Sequence, residues 1–308
     1  MRMAAPLLLG IDLGGTKIEA VALDGSAGGE EAIVLRRRVP TPRDGGYEAI
    51  LAGVAELSRE VAAEVGVDLR TAPLGVGMPG GITRAGLVKN SNTTCLNGRP
   101  FRTDLEALLG RSIAFDNDAN CFTLAEARLG AASAHAGGVV FGVIMGTGVG
   151  GGIAVRGEVW PGAQGIAGEW GHHAVFPDRG PLCYCGGRGC LELFASGTAV
   201  EADYAERAGE RRKLAEIAER RGSDPHADAA IARLLEAFGR GLANVIDILD
   251  PSAVVLGGGL SNLDFLYSEG RDRVASLVFN DELVTPILPN RLGDSAGVIG
   301  AALLALAR

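Results

Sequence analysis

Two stretches of the chain, LLLGIDLGGTKIEAVALDG (Leu7–Gly25) and VVFGVIMGTGVGGGIAVRG (Val139–Gly157), can be laid on one another without a gap. Gly10 then falls on Gly142, 132 residues further along, and Gly14, Ala22 and Gly25 also meet identical residues. Each stretch reads as a β-hairpin: a short apolar run, a glycine-rich turn, then a second strand (IEAVAL, GIAV) with the alternation of a half-buried strand. A repeat of this period is too long for a solenoid unit. It predicts two related lobes facing one another, against the plainer reading that any two glycine-turned hairpins look alike.

Helical patterns fill the intervals. Apolar residues recur at helical spacing over Tyr47–Val65 (Ile50, Val54, Leu57, Val61, Val65), and NDANCFTLAEARL (Asn117–Leu129) opens with capping residues. Ala199–Arg221 reads as a helix with a charged, solvated face, and Ala227–Leu249 as a long amphipathic helix ended by Pro251. Ser295–Leu306 is a small-residue helix capped by Asp294 or Ser295. Strands and helices alternate, which predicts an α/β protein of two lobes. With 308 residues there is chain enough for one large domain or two ordinary ones.

Composition excludes several classes of function. The net charge of −8 argues against a protein that grips nucleic-acid phosphates, and so against a nucleic-acid partner. No apolar run approaches the roughly 18–20 residues needed to cross a bilayer, so no membrane partner is expected. The apolar start, Ala4–Ile11, is short and lacks a small-residue cleavage site, so it does not read as a signal peptide. Five cysteines are an odd count, and Cys183 and Cys185 stand too close for an ordinary disulfide framework. A reducing, cytoplasmic setting with metal binding is the expectation.

The glycine clusters carry the chemistry. Asp12-Leu-Gly14-Gly15-Thr16-Lys17 places a carboxylate at a strand end, before a turn whose amides and hydroxyl can meet phosphate. Asp12 would face Mg²⁺ or its water shell, since hard cations prefer carboxylate oxygen. Gly146-Thr147-Gly148 is the matching turn of the other lobe, and Gly257-Gly258-Gly259 offers a third surface suited to a nucleoside. There is no GxxxxGK[ST] and no strand–GxGxxG–helix fingerprint, so neither a P-loop nor a dinucleotide fold is indicated.

Asp118, in FDNDAN (115–120), follows a short strand and precedes a helix, where an α/β fold presents polar groups to a cleft. Phosphoryl transfer to an alcohol needs such a carboxylate to accept the hydroxyl proton, with Asn117 to hold the substrate. The alternative is that Asn117 and Asp118 merely cap the helix. Between Glu169 and Glu192 lie Cys183, Cys185 and Cys190, three thiolates that a histidine, His172 or His173, would complete into a closed, structural Cys₃His zinc site.

With these residues in hand, the chain resembles the ROK family of sugar kinases and related repressors, within the sugar kinase–actin–Hsp70 (ribonuclease H-like) fold group. The resemblance runs from Gly10 to about Ala302 on DLGGTK (12–17), PGG (79–81), DNDAN (116–120), GTGVGGG (146–152), GEWGHH (168–173), CYCGGRGCLE (183–192) and LGGG (256–259). It implies two α/β domains around a central cleft with a small zinc-bound loop. The expected division is 1–118 plus 295–308 for the smaller domain and 119–294 for the larger. It implies ATP with Mg²⁺ as donor, a hexose as acceptor and a homodimer. Carried over by position, Asp118 is the catalytic base. Gly80, Gly81, Asn92, Asn117, Glu169, His172 and Glu192 bind sugar, and His172 joins Cys183, Cys185 and Cys190 on Zn²⁺. His173 is then a bystander.

The stretches VPTPRD (39–44), LVKNSNTTCLNGRPF (87–101) and LGGGLSNLDFLY (256–267) look most like the fructokinase or mannofructokinase branch, although Cys95 replaces a tryptophan common there. Fructose is therefore the expected acceptor. N-acetylglucosamine kinase, glucokinase or mannokinase activity is the alternative, the first sharing TPRD, DNDANCF and LGGGLSN. A sugar sensor without catalysis is the alternative of another class. Family repressors carry a helix-turn-helix ahead of the kinase-like fold, whereas six residues precede the first strand here.

Overall fold

The computed structural model describes residues 6–26, 32–178 and 180–306. Ala4 and Ala5 of the apolar start, and the outermost ends of the expected small domain, lie outside them. The first hairpin is β1 (Leu7–Leu13) and β2 (Lys17–Asp24), followed by β3 (Ile33–Pro40), helix α1 (Gly46–Glu64) and β4 (Leu74–Met78). A small ribbon, β5 (Gly81–Ile82) and β6 (Val88–Lys89), precedes α2 (Phe101–Leu109), β7 (Ala114–Asn117) and α3 (Asp118–Arg128). The second hairpin is β8 (Val139–Met145) and β9 (Val149–Val155), with β10 (Glu158–Val159) beside it. Then come α4 (Glu192–Ala195), α5 (Gly197–Ala208), α6 (Leu214–Glu219), α7 (Pro225–Leu249), β11 (Ala253–Gly257), α8 (Glu269–Ala275), β12 (Ile287–Pro289) and α9 (Ala296–Leu304).

The strands form two five-stranded sheets of one design, ordered β3-β2-β1-β4-β7 and β10-β9-β8-β11-β12. In each, an antiparallel hairpin leads and two further strands join parallel to its first strand. β1 and β8 occupy corresponding stretches, as the gapless match requires. The second strands do not. Leu13 faces Ile18 across the first turn, whereas Met145 faces Val149 across the second, so the second turn is one residue shorter. A slip of one residue exchanges the two faces of a strand, so Ala22 and Ala154 are identical without being equivalent. Nor is β2 half-buried: Ile18 to Leu23 are all buried, because α1 packs on one face and α9 on the other.

The segment expected as one helix over Ala199–Arg221 is two. Gly209, at φ +73°, takes the left-handed conformation that ends α5. Ser295 does stand at the N-cap of α9, but its hydroxyl makes no cap bond and lies 3.4 Å from Glu19 Oε1 instead.

The last helix of each half crosses over. α3 lies on β8 and β9, α9 on β1, β2, β4 and β7, and the two helices pack against each other. The glycines matched by the repeat permit this. A Cβ on Gly10 would lie 2.4 Å from Val298 O, and one on Gly142 2.0 Å from Thr123 Oγ1. At the helix crossing, a Cβ on Gly300 would come within 1.8 Å of Cys121 O. Gly300→Ala should therefore lower the urea midpoint, at a cost of about 1–3 kcal/mol from overpacking, even though alanine gains up to about 1 kcal/mol in helix propensity. An unchanged or higher midpoint would refute this packing.

Candidate active site

Between the two halves lies a cleft of about 1360 Å³. Pro79, Gly80, Asn92, Asn117 and Asp118 line it from the first half, and Gly146, Thr147 and Gly148 from the second. Glu169, His172 and Glu192 complete the wall between them. Asp118 and six of the expected sugar-binding residues thus meet one of the expected phosphate turns. Gly81, the DLGGTK turn and Gly257–Gly259 do not line this cleft.

Local structure places each group. Asn117 caps α3: its Oδ1 accepts from Ala119 N at 2.8 Å, and its Nδ2 donates to Gly80 O at 2.9 Å. The capping role weighed against the catalytic one is therefore real for Asn117. Asp118 is the first residue of the helix, with Oδ1 accepting from Ala119 N at 2.9 Å. Burial, and to a lesser degree the charge of Glu169, push its carboxyl above the usual carboxylate range. Glu192 opens α4 and accepts from Val149 N at 2.9 Å, tying this wall of the cleft to the second glycine turn. That turn is held further by Gly197 N on Gly146 O (2.8 Å) and Thr198 Oγ1 on Thr147 O (2.7 Å).

The first glycine turn sits just behind. Thr41 Oγ1 donates to Gly14 O at 2.7 Å, and Arg43 reaches Asn92 O at 3.2 Å. Asp12, at the end of β1, is pushed up to about 7, first by burial and then by the charges of Asp118 and Glu19, against the opposing pull of Lys17. The Lys17 ammonium lies 3.3 Å from Glu19. Glu19 is fully buried and also takes Arg36 Nε and Arg38 Nε, each at 2.7 Å. In this arrangement Lys17 serves a buried carboxylate rather than the cleft.

His172 Nδ1/Nε2 and the sulfurs of Cys183, Cys185 and Cys190 lie within 4.8 Å of one another. Cys185 Sγ is 3.6 Å from Cys190 Sγ, and Cys183 Sγ is 3.7 Å from His172 Nδ1. Tetrahedral zinc with Zn–S of about 2.3 Å and Zn–N of about 2.0–2.1 Å requires donor separations of roughly 3.5–3.8 Å; these two separations match it, and the four donors are of the types zinc takes. A backbone knuckle supports it, with Gly187 N on Cys185 Sγ at 3.4 Å and Cys183 N on Gly187 O at 2.8 Å. His173 is the bystander. It stacks on Trp170 with ring centroids 6.5 Å apart, and its Nδ1 meets Trp170 O.

Sequence reasoning missed several lining residues, among them Asn90, Ser196, Thr198, Arg233 and Tyr184. Asn90 has φ +58°, and no local pattern marks it. Arg233 pairs with Asp203 across α5 and α7, a contact between distant segments. Tyr184 alone had a signal, its place between two cysteine ligands.

Comparison with known proteins agrees with this geometry. A relative from Photobacterium profundum described as an N-acetyl-D-glucosamine kinase is 37% identical, covering 96% of this chain and 98% of its own. Among solved structures, a ROK hexokinase from Thermus thermophilus is 32% identical with a TM-score of 0.86, covering 98% of each chain. A ROK family glucokinase from Streptomyces griseus, in complex with glucose and AMPPNP, is 30% identical with a TM-score of 0.78, covering 98% of this chain and 100% of its own. Residues 8–308 match the ROK family, and the chain belongs to it.

Proposed function

We propose that the chain is an ATP-dependent sugar kinase whose acceptor is N-acetyl-D-glucosamine, phosphorylated on its primary hydroxyl. The observation that carries the kinase reading is the cleft itself. It gathers a desolvated Asp118, a set of sugar-hydroxyl acceptors and the Gly146–Gly148 turn on one surface. The relative described as an N-acetyl-D-glucosamine kinase favours that acceptor over the fructose expected from the KNSNTTCLNG segment. Fructose remains the second acceptor to assay on the strength of that segment.

In this reading Asp118 takes the proton of the attacking hydroxyl. A raised pKa suits that task, because a more basic carboxylate accepts the proton more readily. Asn92, Glu169 and Glu192 hold the remaining hydroxyls, with His172 behind them between Cys183 and Tyr184, and the Gly146–Gly148 amides receive the phosphates. Mg²⁺, when bound, neutralises charge on the transferred phosphate. Asp12, a single carboxylate at a strand end, suits a cation that keeps most of its waters. The cysteine–histidine set would hold a structural Zn²⁺ that stiffens the loop bearing Glu169, His172 and Glu192. We place the domain boundary after Asp118, at the start of the α3 helix, and assign α9 to the first domain.

Three outcomes test these roles. Asp118→Asn should lower kcat by about 10²–10⁴ with little change in sugar KM; near-normal turnover would remove Asp118 from the mechanism. Purified protein should carry about one equivalent of zinc. Its removal should weaken sugar binding in calorimetry while AMPPNP binding persists, and metal-free protein with unchanged sugar affinity would refute the assignment. The third outcome concerns Asp12. Its carboxyl is raised in the folded state to about 7 from 3.8 when unfolded, so the native state holds its proton longer. Stability is then lost as pH rises through that window. Asp12→Asn should be no more stable than wild type below pH 4 and gain by up to about 4 kcal/mol above pH 7, read from urea unfolding. A gap that does not change with pH would show that Asp12 titrates normally.

A further inference from the structure

The cysteine loop presents Tyr184 to the cleft from between two of its ligands, Cys183 and Cys185. The ring meets His172 edge-on, with centroids 5.1 Å apart and planes at 88°. The phenol oxygen lies 3.0 Å from His172 Nε2. The other nitrogen of that imidazole, Nδ1, faces Cys183 Sγ at 3.7 Å. A ligand role for Nδ1 would leave the ring proton on Nε2, to be donated to the phenol oxygen. The phenol, protonated at neutral pH, then keeps its own proton for a further partner.

The neighbouring side chains on this wall, Glu169 and Glu192, offer carboxylate oxygens, which are acceptors. They suit sugar hydroxyls, which can donate. They cannot serve a substituent that only accepts, such as the carbonyl of an acetamido group. We propose that Tyr184 is a specificity-determining residue. In this assignment its O–H donates to the acetamido carbonyl of an N-acetylhexosamine, from a position held by the flanking cysteines. The proposal rests on the N-acetylhexosamine acceptor reading and deepens it. It also gives the metal loop a direct part in choosing the substrate, through the residue between its first two thiolates.

The test is Tyr184→Phe, which keeps the ring against His172 and removes only the hydroxyl. Steady-state kinetics would be run with N-acetyl-D-glucosamine, glucose and fructose, and zinc content measured alongside. We expect kcat/KM for N-acetyl-D-glucosamine to fall about fivefold to tenfold, through KM, as for the loss of one neutral hydrogen bond. Glucose should change less than about twofold, and zinc content not at all. Equal change for both sugars, or a change confined to kcat, overturns the proposal. Wild type preferring fructose while the variant still loses N-acetyl-D-glucosamine selectively would defeat the acceptor reading alone and support the role of Tyr184. Wild type preferring N-acetyl-D-glucosamine with an unchanged ratio in the variant would defeat only the role of Tyr184. A wild type that neither binds nor phosphorylates N-acetyl-D-glucosamine overturns both.

Discussion

Helices α3 and α9 cross at a point where Gly300 has no room for a methyl group against the carbonyl of Cys121, and each helix covers the sheet of the other half. The chemistry hangs on this crossing. Asp118 is the first residue of α3, and Asp12 Oδ2 stands 2.9 Å from where a Cβ of Gly297, on α9, would lie. The carboxylate proposed to take the sugar proton and the one proposed to face the cation are therefore referenced to the same helix pair. A relative shift of the two halves would change the distance between them. Because glycines let backbone touch backbone there, the contact is steric and short-ranged, which is the kind that holds a geometry rather than merely favouring it.

Electrostatics work against that arrangement. Asp12, Asp118 and the fully buried Glu19 are near enough for their charges to raise Asp12. The fold answers at Glu19 by bringing Arg36, Arg38 and Lys17 to one carboxylate; a charge this deeply buried needs such partners. Asp12 and Asp118 have no such cluster of cations among the described residues, and burial first, then the neighbouring carboxylates, raises their affinity for protons. On the proposed reading, a divalent cation arriving at Asp12 would relieve part of this repulsion.

The other wall is organised differently. Glu192 is tied to Val149 N, and His172 is held by the cysteine cluster through one nitrogen while the other faces Tyr184. Holding these groups in place beforehand spares an ordering cost on binding. A loop of exposed glycines and arginine has little apolar surface with which to hold itself. On the proposed reading, a metal ion held by the cysteine–histidine set would supply that order instead.

Much of this was legible in the chain. The paired hairpins, the strand-to-helix step at Asn117–Asp118 and the three clustered thiols are local patterns, and local patterns survive folding because each is set by its own neighbours. The break of α5 at Gly209 was hidden because charged residues continue a helical composition on both sides of it. The one-residue slip between the hairpins was hidden because identical alanines happen to fall in register. Arg233 stands at the cleft beside Asp203, a contact between segments distant in sequence that no spacing rule reports. By itself the sequence determined the kind of chain this is: two related α/β halves, a phosphate turn, a carboxylate at a helix start and a four-donor cluster. Only the tertiary structure decided which of these share a cleft, that Lys17 turns to Glu19, and that α3 and α9 exchange sheets. Those outcomes depend on close packing across the whole chain, which no local segment encodes.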